Sequence, residues 1–185
     1  RGVYEQGVKR KNIIFLGKKL GITCNQLYLN LDKVYNKLVK NLKKIGNISR
    51  FTTHSWEGGH EDHDACNLIG RKVAIRNNIL ANSSEFYLYN SNNTRFIYFR
   101  VFNPLTKNGK KIKSKFLERL WFISLLFVYK SQFKIWIGLY PFIIFHYLFN
   151  GYNFLSKLQK NFKLTKPHKG KLLYEKRKFC KFKDF

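Results

Sequence analysis

The sequence predicts an α+β fold: a small antiparallel sheet packed against a helix, preceded by a basic helical N-terminal extension. Three observations lead there. Leu27, Leu31, Val34, Leu38 and Leu42 recur at steps of four and three, the period of one helical face. Residues 85–102, EFYLYNSNNTRFIYFRVF, alternate aromatic or branched side chains with polar ones on both sides of Ser91, Asn92, Asn93 and Thr94, the pattern of two strands around a turn. The block 120–150 is almost continuously apolar and rich in branched and aromatic residues, as buried strands are.

Two units are expected. Residues 1–80 form a basic helical part in which Lys33, Lys37, Lys40, Lys43 and Lys44 lie off the apolar stripe and Gly46 ends the helix. It includes an acidic, histidine-bearing loop, 54–66. Residues 81–185 form an α+β unit with a basic tail. Within it, 103–115 reads as a polar basic loop with an Asn-Gly turn signal. In the apolar block, Lys130, Gln132 and Lys134 divide two stretches that are each shorter than the roughly 20 residues of a spanning helix. The block is therefore expected to form a buried hairpin, bent at Gly138 and Pro141; a membrane-inserted pair of segments is the competing reading. Phe154, Leu155, Leu158 and Phe162 predict a helix from about Asn153, stopped by Pro167.

Charge points to a polyanionic partner. The 36 Lys and Arg stand against 10 Asp and Glu, a formal net charge of +26. A hydrophobic fraction of 44% and an aromatic fraction of 17% exclude a disordered histone-like tail, so the cations sit on something that folds. Between residues 157 and 183 there are eleven Lys or Arg against the single Glu175. Lysines neutralise phosphates and release counterions, and interleaved aromatic rings stack on unpaired bases. Lys, Asn, Phe, Ile and Tyr dominate the composition, with 18 Phe and 11 Tyr; all five have codons of A and T alone, which suggests an AT-rich, organellar genome. Three dispersed cysteines indicate a reducing compartment. With no Met, residue 1 is not an initiator and the chain reads as processed or cut, without an intact secretory signal.

Chemistry concentrates in FTTHSWEGGHEDHDACNL, residues 51–68. His54, His60, His63 and Cys66 are zinc-capable ligands, although their spacing fits no standard zinc finger. The HEDH core also suits a nuclease in which a histidine activates water beside a metal ion. Against both, Gly58, Gly59 and the dense charge predict an exposed flexible loop. No phosphate-cradling glycine loop or GxSxG stands elsewhere. The expectation is a chain with no catalytic role, no cofactor and no small-molecule substrate.

From about residue 110 onward the chain resembles the C-terminal domain of the sixth protein of the large ribosomal subunit, the ribosomal L-six family. The resemblance is carried by Tyr129, Lys130 and Ser131, by Gly138 followed by Pro141, and by Pro167, His168, Lys169, Gly170 and Lys171 with Tyr174 and a basic end. It departs from the family pattern at Leu126 and Phe127, where glycines are usual, and at His168, which stands for an aromatic residue. The resemblance implies a constituent of the mitochondrial large ribosomal subunit, organelle-encoded, with ribosomal RNA and neighbouring ribosomal proteins as partners and no membrane insertion. Residues 1–80 would then be an extension or a diverged second copy of the same unit. The RNA-facing residues would be Lys110, Lys111, Lys113, Lys115, Lys160, Lys163, Lys166, His168, Lys169, Gly170, Lys171, Tyr174, Lys176, Arg177 and Lys178, with Pro167 and Gly170 turning the tail off the domain. Two other classes compete: a small membrane subunit of a respiratory assembly, and a metal-dependent nuclease using His54, His60 or His63.

Overall fold

The computed structural model describes residues 7–95, 98–105, 109–128 and 137–185. Its architecture is α+β, a small, mainly antiparallel sheet packed with helices. A short helix α1 (Leu16–Leu20) closes on Gly21, whose φ of 67° is left-handed, a conformation glycine adopts without cost. After a 3-10 turn, helix α2 (Leu31–Leu42) lies where the leucine spacing predicts it. Val34, Tyr35 and Val39 of α2 are buried against Ile69 and Val73 of helix α3 (Glu61–Arg76), with the predicted Leu27, Leu31, Leu38 and Leu42 around them.

The main sheet runs in the order β1 (Phe51–His54), β2 (Ser83–Phe86), β6 (Tyr152–Lys157), β5 (Gly109–Lys113). β1 and β2 are parallel, with His54 opposite Phe86, while β6 is antiparallel to both its neighbours. A parallel pair needs a long crossover, and α3 supplies it. The boundary expected at residue 80 thus falls between two neighbouring strands of one sheet. Gly70 allows α3 to lie close on β1, because a Cβ there would stand 2.8 Å from the Thr53 hydroxyl.

Several expectations are corrected. Residues 103–115 are not simply a loop: Gly109–Lys113 form edge strand β5, where lysines also serve to block edge-to-edge pairing. The apolar block contains no hairpin among its described residues. It forms helix α4 (Phe116–Val128), helix α5 (Tyr140–Phe145) and a π-helical turn (His146–Asn150), while Lys130, Gln132 and Lys134 lie outside the described residues. A continuous apolar run does not distinguish helix from strand by period, and Pro141 sits in the first turn of α5, where its missing N–H costs nothing. No helix among the described residues is long and apolar enough to cross a membrane. The helix expected from Asn153 is instead strand β6, in the sheet interior.

The predicted pairing around residues 91–94 exists but is short: β3 (Tyr89–Asn90) pairs antiparallel with β4 (Arg100–Val101). These strands meet α4, α5 and the π turn in a second apolar cluster containing Phe99, Phe102, Leu126, Leu139, Ile143 and Tyr147. The tail does not leave the domain. Leu172 and the first residues of the short helix α6 (Leu173–Lys176) are fully buried, and the Leu173 amide donates to the Gly58 carbonyl at 2.8 Å.

Candidate functional site

The stretch 54–66 is not an exposed loop. β1 ends at His54, residues 55–59 are buried, and α3 begins at Glu61 with His60 as its N-cap, the His60 ring accepting from the Asp62 amide at 3.1 Å. Two carboxylates organise the turn from inside. Asp64 accepts from the backbone N–H of Glu57 at 3.0 Å and of Gly58 at 3.1 Å. Glu57 accepts from the N–H groups of Leu88 and Tyr89 at 2.8 and 3.2 Å. Buried backbone donors need such partners. Gly58 has a left-handed φ of 71°, and a Cβ on Gly59 would lie 1.9 Å from the Tyr89 carbonyl oxygen, so both glycines are required where they stand.

Burial without a cationic partner pushes Glu57 up to about 8 and Asp64 up to about 7, against the hydrogen bonds that favour their charged forms. The tail helix is tied to the same turn by the Leu173 amide, which donates to the Gly58 carbonyl. Behind it, Asn67 donates to the His54 carbonyl at 2.7 Å and to Glu85 at 2.9 Å, and Arg71 binds Glu85 at 2.6 Å. In that pair burial outweighs attraction for both partners: it raises Glu85 and lowers Arg71.

This scaffold presents three imidazoles. The rings of His54 and His63 are parallel with centroids 4.3 Å apart, and His60 stacks on His63 at 4.9 Å. Burial lowers His54 to about 4 and His63 well below its ordinary value, with neighbouring imidazoles adding to the effect. Both rings are therefore neutral at pH 7. Their Nδ1 atoms are shielded from solvent and have no hydrogen-bond partner among the described residues. Asp62 is occupied in positioning an upstream segment, accepting from the amides of Asn25 and Leu27 at 2.7 and 3.0 Å. That segment brings the Cys24 sulfur within 4.0 Å of His60 Nε2.

The imidazoles form the polar end of a cavity of about 660 Å³. Most of its remaining wall is apolar, Phe99, Phe102, Phe122, Leu126 and Ile143 among it, and Cys24, Asp62 and Arg177 line it as well. The cavity lies beyond the carboxyl ends of the parallel strands β1 and β2, at His54 and Leu88. Cys66 faces a second cavity of about 550 Å³, and burial pushes its thiol up to about 11. The four zinc-capable residues singled out in the sequence therefore do not share one cavity. Among the described residues, no three His, Cys, Asp or Glu side chains are grouped to hold a metal ion.

The expected RNA-facing residues are divided. Lys110, Lys111, Lys113, Lys115, Lys160, Lys163, Lys166, Lys169, Gly170, Lys171 and Lys178 are exposed. Lys166 pairs with Glu175 at 2.9 Å, and Lys111 lies over the Tyr152 ring at 3.6 Å. His168 and Lys176 are half-buried. Arg177 is directed to the cavity and lies over Phe99. Tyr174 is 0% exposed and has no face for a base. Sequence reasoning missed Glu57, Asp64 and Asn67 as structural groups and Arg177 as a cavity residue. The i, i+3 spacing of Asp64 and Asn67 on one face of a helix was the available signal.

No family model, no curated protein and no solved structure matches the chain.

Proposed function

We propose that the histidine-lined cavity is an acid–base site of the hydrolytic class, acting on a ligand with a polar reacting end and an apolar body. The observation that carries this reading is the stack of three imidazoles, two of them half-buried and neutral, at the wall of a mainly apolar cavity that Asp62 and Arg177 also line. A neutral imidazole can take a proton from water as that water attacks, and a guanidinium at the same wall stabilises developing negative charge. Arg177 supplies the second role. Strongly perturbed titratable groups in a cleft are what a reactive site shows.

The test is hydrolysis of a panel of ester- and amide-linked amphiphiles, with and without a chelator, by the chain and by His63→Ala and Arg177→Ala. Turnover that both substitutions abolish while circular dichroism is unchanged supports the reading; absence of turnover on all of them, or turnover indifferent to His63, overturns it. Loss of activity with chelator would assign the imidazoles to a metal.

A second reading, an RNA-binding constituent of a mitochondrial large ribosomal subunit, is supported by the exposure of the lysines on β5 and between residues 157 and 171. The L-six resemblance implied a buried hairpin followed by a helix, and the described residues of those segments form helices followed by a strand. Co-sedimentation with the large subunit, weakened by salt and by Lys169→Glu with Lys171→Glu, would favour this second reading.

A further inference from the structure

We infer that the outer face of α4 and the π turn docks on an anionic lipid surface, the chain lying on a membrane without spanning it. Phe116, Leu117, Leu120, Trp121 and Phe127 recur at helical spacing on the exposed side of α4. Phe122 of α4 stacks on Tyr147 of the π turn at 5.4 Å, which sets the two elements side by side, and Phe145 at the end of α5 with Leu148 and Phe149 of the π turn are exposed as well. Leu117 is 77% exposed and Phe149 70%, and the Phe145 and Phe149 rings lie 4.5 Å apart. An apolar area of this extent on a water-facing surface marks an interaction site.

Charge selects the occupant. Strand β5 leads directly into α4 and carries exposed Lys110, Lys111 and Lys113, with exposed Lys115 between the two elements. Apolar side chains with lysines at their border form the pattern of an interfacial helix, whose apolar face enters the acyl boundary while cations meet anionic headgroups. A second copy of this chain would bring another surface of a molecule with net charge +26 against the lysines. RNA would leave Leu117, Leu120 and Leu148 without stacking partners. The opposite side of α4, at Phe122, Leu125 and Leu126, walls the histidine-lined cavity, so docking would set that cavity one helix away from lipid.

The experiment is sedimentation of the full chain with phosphatidylcholine vesicles, with and without phosphatidylserine. The expected result is binding that requires phosphatidylserine and falls about tenfold or more in the double variant Leu117→Asp, Phe149→Asp, with unchanged circular dichroism because both side chains are exposed. Lys110→Gln with Lys111→Gln and Lys113→Gln, a variant that leaves the apolar face intact, should weaken binding and reduce its salt dependence. Binding equal in the Asp variant would put the contact on lysines alone and overturn the inference. So would absence of vesicle binding, or concentration-dependent self-association that the Asp variant abolishes.

Discussion

The parallel rings of His54 and His63, 4.3 Å apart, bring together the last residue of a strand and a residue in the first turn of the following helix. Six residues of turn separate strand end from helix start, and their path is fixed by Asp64 of the helix, which accepts from the Glu57 amide, and by Glu57, which reaches out of the turn to accept from the Leu88 amide. The stack depends on that turn more than on any attraction between the rings.

Gly59→Ala is expected to be the most damaging single-methyl change in the molecule. The added Cβ would meet a backbone carbonyl, which cannot rotate away as a side chain end can. A loss of about 3 kcal/mol is expected, read as a lower urea midpoint with unchanged slope. Gly46→Ala meets open space and tests only the left-handed φ, so it should cost about 1 kcal/mol.

Stability should depend on pH through two groups of opposite sign. Glu57 holds its proton up to about 8 in the folded chain, against about 4.3 when unfolded. Its contribution is complete below the unfolded value and is lost as pH rises through the folded one. His54, lowered to about 4, contributes above its unfolded value near 6.5 and loses that contribution as pH falls toward 4. The two windows overlap between about 4.3 and 6.5, where the opposing slopes offset each other, so the contribution of this pair is nearly flat there and falls as pH rises from about 6.5 to 8. Glu57→Gln keeps an acceptor for the Leu88 and Tyr89 amides and should flatten the fall between neutral pH and about 8 in chemical denaturation.

Removing one member of the buried pair between Arg71 and Glu85 should cost about 3–5 kcal/mol, because it strands a charge with little access to water. Glu85→Leu combined with Arg71→Met should recover much of that loss. The comparison of melting temperatures for the single and double variants checks it.

The exposed lysines make a separate prediction for polyanion binding. Each of Lys169→Gln and Lys171→Gln should reduce the slope of log affinity against log salt by about 1 if both meet phosphates. Tyr174→Phe, at a residue with no exposed surface, should leave RNA affinity unchanged.

The sequence made α2 legible because its leucines keep one period over four turns. The pair β3 and β4 was legible from the turn-forming residues 91–94. It hid α4, because a run such as LWFISLLFV is apolar on every side and carries no period that separates helix from strand. It misled at β6, where Phe154, Leu155, Leu158 and Phe162 sit at helical spacing by coincidence while the flanking Tyr152 and the sheet register decide the structure. The site residues were visible by type, since His54, His60 and His63 stood out at once. Their setting was not. Glu57, Glu61 and Asp64 look like a solvated charge cluster in one dimension, and only the sheet crossover buries all three.

The most direct measurement is a pH titration of the five histidines by imidazole-resolved NMR on the intact chain. His54 should titrate at about 4 and His63 well below its ordinary value, and both should shift when an amphiphile that the chain hydrolyses is added. Titration of either ring near its ordinary value of about 6.5, or rings indifferent to every such ligand, would contradict a buried imidazole site.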